Sequence, residues 1–252
     1  MRYVLVNKPF EVLTQFTDEN GRTTLKEFVP VPGIYPVGRL DYDSEGLVLL
    51  TDDKPLQNRL SEPRSKVPKT YLVQVEGEPT EEALDKLRRG VQIKDGFTLP
   101  AQVELLPEPP ALWERSKPIR FRASIPTHWL QITISQGMNR QVRKMTAAVG
   151  LPTLRLVRTQ IAFLGLENLA PGQHRELTAD EVKKLRAAFS ATKQPKERPP
   201  LTKKGADDVT TPEKPASRKP AGSRPTGPKT SGNRAGSGSR PPSGRSASRR
   251  PR

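Results

Sequence analysis

The chain has 252 residues, a pI near 10.3 and a formal charge of +16, from 43 Lys and Arg against 27 Asp and Glu. With no cysteine and only two histidines, His128 and His174, it excludes disulfide scaffolds, thiolate nucleophiles, Cys-ligated metals and polyhistidine centres. The first apolar run meets a charge within a few residues, so neither a signal peptide nor a spanning helix is expected there, and the cytoplasm is the simplest compartment.

Tyr3 to Val6 reads as a first strand, closed by Lys8-Pro9. Thr24 to Phe28 has room for one helical turn, and Gly33 to Leu40 is extended. Leu47 to Thr51 is apolar without polar alternation, the pattern of a strand buried on both faces. Pro55 to Leu60 suits a short helix. Tyr71, Val73 and Val75 alternate with Leu72 and Gln74 in the next strand. Thr80-Glu81-Glu82 opens a helix that carries Ala83, Leu84 and Leu87 and stops at Gly90. Trp129 to Ser135 is a strand with Leu130, Ile132 and Ile134 on one face. A helix from Asn139 carries Val142, Met145, Ala148 and Val149 and ends at Gly150. Leu154 to Leu164 is extended, and Thr178 to Phe189 is an amphipathic helix opened by Thr-Ala-Asp-Glu. Short strands with interspersed helices, without βαβ alternation, predict an α+β fold on a largely antiparallel sheet with flanking helices.

The charge is concentrated at the C-terminal end. Residues 193–252 hold 16 Lys and Arg against 4 acids, a net of +12, while the first 192 residues net only +4. The same segment has 11 Pro, 7 Gly and 8 Ser, with no aromatic after Phe189. Such a composition cannot bury enough apolar surface to offset its ordering entropy, so residues 191–252 are expected to be a disordered basic tail behind a domain of residues 1–190. Arginines spaced among Gly and Ser, such as Arg234, Arg240, Arg245 and Arg249, suit a polycationic arm that tracks RNA phosphates; the plainer alternative is a solubilising tail.

The chemistry gathers in Gly38-Arg39-Leu40-Asp41-Tyr42-Asp43-Ser44-Glu45-Gly46, between two extended stretches. Asp41, Asp43, Glu45, Gly46, Val48 and Asp52 approach the spacing of a calcium loop, but the flanks read as strands and the last ligand would be the shorter Asp. Asp41 with Asp43 could form a glycosidase-type carboxylate pair. Ser44 lacks the first glycine of a nucleophile elbow, because Tyr42 stands there. The fourth reading makes one aspartate catalytic, with an adjacent arginine as its electrostatic partner or as a phosphate ligand.

Gly38-Arg39-Leu40-Asp41, followed by Ser44-Glu45-Gly46-Leu47 and Leu50-Thr51-Asp52, resembles the central motif of the RsuA-like pseudouridine synthases. Asn7-Lys8-Pro9 resembles the first motif of that family, Lys69-Thr70-Tyr71 its Lys-x-Tyr strand, and Gly137 to Met145 its last motif, continued by Leu154 to Arg158. The match runs in order from residue 3 to about 180. Val12 to Glu19, and the stretch around Trp113 and Ile125-Pro126-Thr127, resemble members that act on large-subunit ribosomal RNA. Most relatives carry a small RNA-binding S4 domain before the Lys-Pro motif; here that motif starts at residue 8, so no S4 domain is expected.

The resemblance implies isomerisation of a uridine within large-subunit ribosomal RNA: the N1–C1′ bond breaks, the base turns, and C5 rejoins C1′. No metal, nucleotide or other cofactor is implied. It makes Asp41 the essential carboxylate, stacks Tyr71 on the uracil and pairs Arg143 with Asp41 to keep it ionised. Arg39 would hold the loop or a phosphate, and Lys8, Lys69, Arg140 and Lys144 would contact the RNA backbone. His128 and His174 are expected to be structural or solvent-exposed. With no heptad seam or apolar surface stripe, a monomer without membrane contact is expected. Two rival readings are a non-catalytic RNA-binding assembly factor that uses the tail, and a purely electrostatic RNA chaperone.

Overall fold

Leu47 to Leu50 are wholly buried because their strand lies inside a sheet covered on both faces. The computed structural model describes residues 1–190 apart from Phe121, all within the first of two units of the chain, Met1–Arg198; the expected basic tail lies outside the described residues. The strands are β1 (Tyr3–Lys8), β2 (Tyr35–Pro36), β3 (Glu45–Thr51), β4 (Lys69–Glu76), β5 (Gln92–Ile93), β6 (Gly96–Phe97), β7 (Gln102–Leu106), β8 (Thr127–Ile134), β9 (Thr153–Ile161), β10 (Leu164–Gly165) and β11 (His174–Glu176). The helices are α1 (Lys54–Ser61), α2 (Glu81–Arg89), α3 (Gln141–Ala148) and α4 (Ala179–Ser190).

The main sheet has the order β11-β1-β3-β9-β4-β8-β7, with β2 and β10 added at β3 and β9. Only the short contact of β3 with β9 is parallel; the other pairings are antiparallel, as the α+β reading expects. One core face joins Val4, Val48, Val73 and Ile132 to Leu84 and Leu87 of α2 and Met145 of α3. The opposite face joins Leu5, Leu47 and Leu49 to Leu56 of α1 and Leu185 of α4. Each fully buried Leu of this kind contributes about 1.5–3 kcal/mol.

The helix ends follow their sequence signals. Asp53 accepts a hydrogen bond from Leu56 N at the start of α1, and Thr80 accepts one from Ala83 N at the start of α2. Thr178 and Glu181 exchange bonds ahead of α4, so the expected capping box is present. The helix expected from Asn139 starts two residues later. Arg140 occupies its N-cap in the left-handed region, at φ 49°, and makes no side-chain cap bond. Three features escaped the sequence reading: the β5–β6 hairpin, strand β7 and the three-residue edge strand β11, each too short or too polar to carry a period. Among the described residues no helix is long and apolar enough to cross a membrane.

Candidate active site

The loop between β2 and β3 is fastened from below. Lys8 is wholly buried, and its ammonium donates to the carbonyls of Pro9 (2.8 Å), Val12 (2.9 Å) and Tyr42 (3.5 Å). Burial lowers its pKa to about 7, although the Glu45, Asp43 and Asp41 charges oppose that shift. Thr14 Oγ1 donates to the Leu40 carbonyl at 2.5 Å, and Glu11 N donates to the Tyr42 carbonyl at 3.0 Å. Ser44 N closes a turn onto the Asp41 carbonyl at 3.1 Å. The Asp41 side chain is left partly exposed at 32%, with its carboxylate 3.6 Å from Arg140.

Beyond the loop the chain enters β3 through two scaffold residues. Glu45 is 1% exposed; its Oε2 accepts from Arg155 Nε (2.8 Å), and its Oε1 accepts from Arg155 Nη2 (3.0 Å) and Trp113 Nε1 (2.8 Å). Gly46 has φ +107°, and a Cβ there would stand 2.3 Å from the Arg158 carbonyl oxygen, so only glycine lets β3 meet β9 so closely.

Asp43 collects the arginines of the last motif. Arg140 grips it with two bonds of 2.8 and 2.7 Å, while Arg143 Nη2 donates to its main-chain carbonyl at 2.7 Å and lies 3.4 Å from its carboxylate. Burial pushes the Asp43 pKa up, but the Arg140 bond and the charges of Arg143 and Arg140 outweigh it and hold the group below the ordinary carboxylate range. The expected direct pairing of Arg143 with Asp41 is therefore not made. Asp43 binds Arg143 instead, because its carbonyl and carboxylate both face α3, and Arg140 is the arginine beside Asp41.

A cleft of about 290 Å³ opens beside Asp41, near the lower end of the small-molecule range of about 300–1,000 Å³. Its lining includes Arg39, Asp41, Lys69, Tyr71, Arg140 and Arg158. Tyr71 is 7% exposed and packs in the main core while also lining the cleft. Lys69 donates to the Val67 carbonyl at 3.0 Å, and burial, with a smaller repulsion from Arg158, lowers its pKa to about 8.

Asp41, Tyr71, Arg39, Lys69 and Arg140 thus meet at one cleft, with Arg143 behind the loop. Lys8 does not join them as a backbone contact: it is sealed under the loop, where only main-chain carbonyls reach it. Lys144 is set apart, paired with Asp95 and bonded to Asn139. His128 bonds the Gly77 carbonyl and His174 is exposed, the structural and solvent-exposed placements expected for them.

The competing readings of the loop also meet specific obstacles. The calcium spacing breaks because Glu45 is committed to Arg155, Asp43 to Arg140, and Asp52 to Arg2 at the far end of β3. Asp43 held below its ordinary pKa is no acid partner for a glycosidase pair, and Ser44 is wholly buried. Among the described residues no group of three His, Asp or Glu could hold a metal ion.

The extended segment between β7 and β8 was not anticipated as a structural element. It crosses to the Lys-Pro loop, where Arg115 lies 4.2 Å above the Phe10 ring and Lys117 pairs with Glu11. Trp113 is fixed to Glu45, and Arg120 and Arg122 pair with Glu76. Sequence offered one signal, a tryptophan among prolines and charges, but partners 68 residues distant leave no local pattern.

The family model described as RNA pseudouridylate synthase matches residues 2–148. The chain is 58% identical over 177 residues to the ribosomal large subunit pseudouridine synthase E of Vibrio vulnificus, covering 70% of this chain and 75% of that protein. It is 52% identical over 187 residues to the protein of that name from Xanthomonas campestris, covering 73% and 98%. A crystal structure of a pseudouridylate synthase superposes with a TM-score of 0.61 at 30% identity, covering 73% of each chain.

Proposed function

The chain belongs to the RNA pseudouridylate synthase family, and on that premise we propose that its substrate is a uridine of large-subunit ribosomal RNA, with Asp41 as the essential carboxylate. The observation that carries the assignment of Asp41 is its position. Two carboxylates line the cleft: Glu62 is exposed at the C-cap of α1, whereas Asp41 is set in the fastened loop with Arg140 3.6 Å away and, unlike its neighbour Asp43, has no bidentate arginine partner.

The target nucleotide leaves its helix and seats its uracil in the cleft against Tyr71, whose ring offers a stacking surface to an extruded base. Asp41 then works on the sugar, either by bonding C1′ or by taking a sugar proton. Both routes start from the ionised carboxylate. Asp43 serves that state indirectly: it keeps Arg140 and Arg143 turned toward the loop, and Asp41 interacts favourably with both charges. Once the N1–C1′ bond has broken, the base turns, C5 bonds C1′, and the C5 hydrogen departs. Arg39 and Lys69 meet the RNA at the cleft, and the basic residues of 193–252 add affinity without base readout. On this reading the enzyme works in the cytoplasm as a monomer and takes no nucleotide cofactor.

Release of tritium from C5-labelled large-subunit RNA tests the proposal, because forming the C5 bond must expel that hydrogen. Wild type is expected to release it stoichiometrically, and Asp41→Asn to release none while still binding RNA. Release by Asp41→Asn at the wild-type rate would refute the role of Asp41. Tight binding by wild type without release would point to the assembly-factor alternative.

A further inference from the structure

Arg158 is the least satisfied charge in the cleft. It is 3% exposed, and among the described residues its guanidinium makes one hydrogen bond, from Nε to the Leu47 carbonyl at 2.7 Å. Nη2 is buried without a partner, and no described carboxylate pairs with the group. A permanently charged guanidinium taken from water without a counter-charge is costly, and folding alone gives no reason to retain it. Leu47 could be bridged to β9 by a neutral donor.

The location supplies a reason. Arg158 lies directly across the β4–β9 ladder from Tyr71, so the two side chains leave the same face of the sheet with Cβ atoms about 4.5–5.5 Å apart. Both line the cleft. Lys69, one alternate position along β4, lines it too. A base seated on Tyr71 therefore sits next to a desolvated positive charge. The sugar–phosphate of an extruded nucleotide stays nearer the mouth, where Arg39 is exposed.

We infer that Arg158 stabilises the uracil as it leaves the sugar. This rests on the pseudouridine synthase reading. When N1–C1′ breaks, the bonding electron pair goes to the base, and the negative charge spreads over N1, O2 and O4. C1′ is meanwhile satisfied either by an Asp41 oxygen or by loss of a neighbouring sugar proton to Asp41. Arg158 transfers no proton. Its charge, already fixed and dry before reaction, favours the anion over the neutral ground-state uracil. When C5 bonds C1′, the base's electron pair makes the new bond while Asp41 either leaves C1′ with its own bonding pair or returns the proton to the neighbouring sugar carbon, and the C5 proton then leaves to water.

The test compares two leaving groups on the same enzyme preparations, so that any unfolded fraction cancels. Large-subunit RNA is transcribed with uridine or with 5-fluorouridine, whose ring fluorine makes the detached base a more stable anion. Single-turnover conversion of the N1-linked to the C5-linked nucleoside is followed by digestion and mass analysis for wild type, Arg158→Gln and Arg158→Lys; the fluorinated base, with no C5 hydrogen to lose, is read as its C5-linked water adduct. For Arg158→Gln the uridine rate is expected to fall about 100-fold with RNA affinity unchanged, and the 5-fluorouridine rate to fall only about tenfold. Arg158→Lys should lie between wild type and Arg158→Gln, and it supplies the comparison if the glutamine variant does not fold. Equal losses on both RNAs, a loss confined to RNA affinity, or wild-type rates would each overturn the role of Arg158. A wild type inactive on the uridine RNA would instead overturn the reading on which it rests.

Discussion

Replacing Glu45 by Gln probes whether the loop is held by its buried ionic support. Glu45 and Arg155 have side-chain exposures of 2% and 10%, and both carboxylate oxygens accept from N–H donors. Gln keeps the shape but offers one oxygen and turns an NH₂ toward Arg155 or Trp113, so donor meets donor. It also leaves Arg155 charged and buried without a counter-charge, with the Trp113 carbonyl (2.9 Å) and at most the single amide oxygen as acceptors. Breaking a buried pair by removing one partner costs about 3–5 kcal/mol. With an m-value of about 2 kcal/mol/M, the urea midpoint should fall by about 1.5–2.5 M. Glu45→Met combined with Arg155→Met removes both charges and should recover most of that loss, since replacing a buried pair by apolar side chains is often neutral. Fluorescence of Trp113 and Trp129 can follow the transition. A midpoint for Glu45→Gln within about 0.3 M of wild type would refute the reasoning, as would a double variant as unstable as the sum of its singles.

Gly46→Ala places a methyl 2.3 Å from the Arg158 carbonyl at φ +107°, and should lower Tm by about 5–15 °C in calorimetry. Lys8→Met tests the buried ammonium through pH. With a folded pKa of about 7 against about 10.4 unfolded, the unfolded chain binds the extra proton between those values, so wild-type stability should rise with pH there. Wild type should therefore gain on Lys8→Met by at most about 1.4 kcal/mol per pH unit above neutrality, read from urea midpoints; parallel pH profiles would contradict it. Removing residues 193–252, with their net +12, should weaken RNA binding and flatten its salt dependence while C5 tritium release persists. An unchanged salt slope would show that the tail does not touch RNA.

Elements with a burial pattern were legible. β3 and β4 were found because solvent reaches neither face of one and only part of the other, and α2 because Thr80 and Gly90 mark its ends. The strand β7 was missed because the Gln102–Leu106 edge buries Val103 alone, which sets up no alternation. Residue types at the site were legible and their partnerships were not. A lysine in a loop reads as a surface cation, and nothing local reveals that three carbonyls close over Lys8. An arginine on α3 predicts a carboxylate partner, but the choice of Asp43 over Asp41 is made by the loop turn.

If Asp41 is the reactive group, as proposed, that turn explains why so long a motif surrounds it. Of Gly38 to Gly46, only Gly38, Arg39, Leu40 and Asp41 line the cleft. Ser44 is buried, Glu45 is clamped by Arg155 and Trp113, and Gly46 admits the β9 backbone. Asp43 takes the arginines that would otherwise close on Asp41 and bury its carboxylate in bidentate bonds. An aspartate so bound would be ionised but occupied. With Arg140 at 3.6 Å, Asp41 keeps a positive charge beside it, and on the proposed reading its oxygens are left open to the substrate. On the proposed reading Asp43 acts as a decoy acid, and the two aspartates are kept apart by the intervening Tyr42, whose carbonyl Lys8 and Glu11 N hold from below.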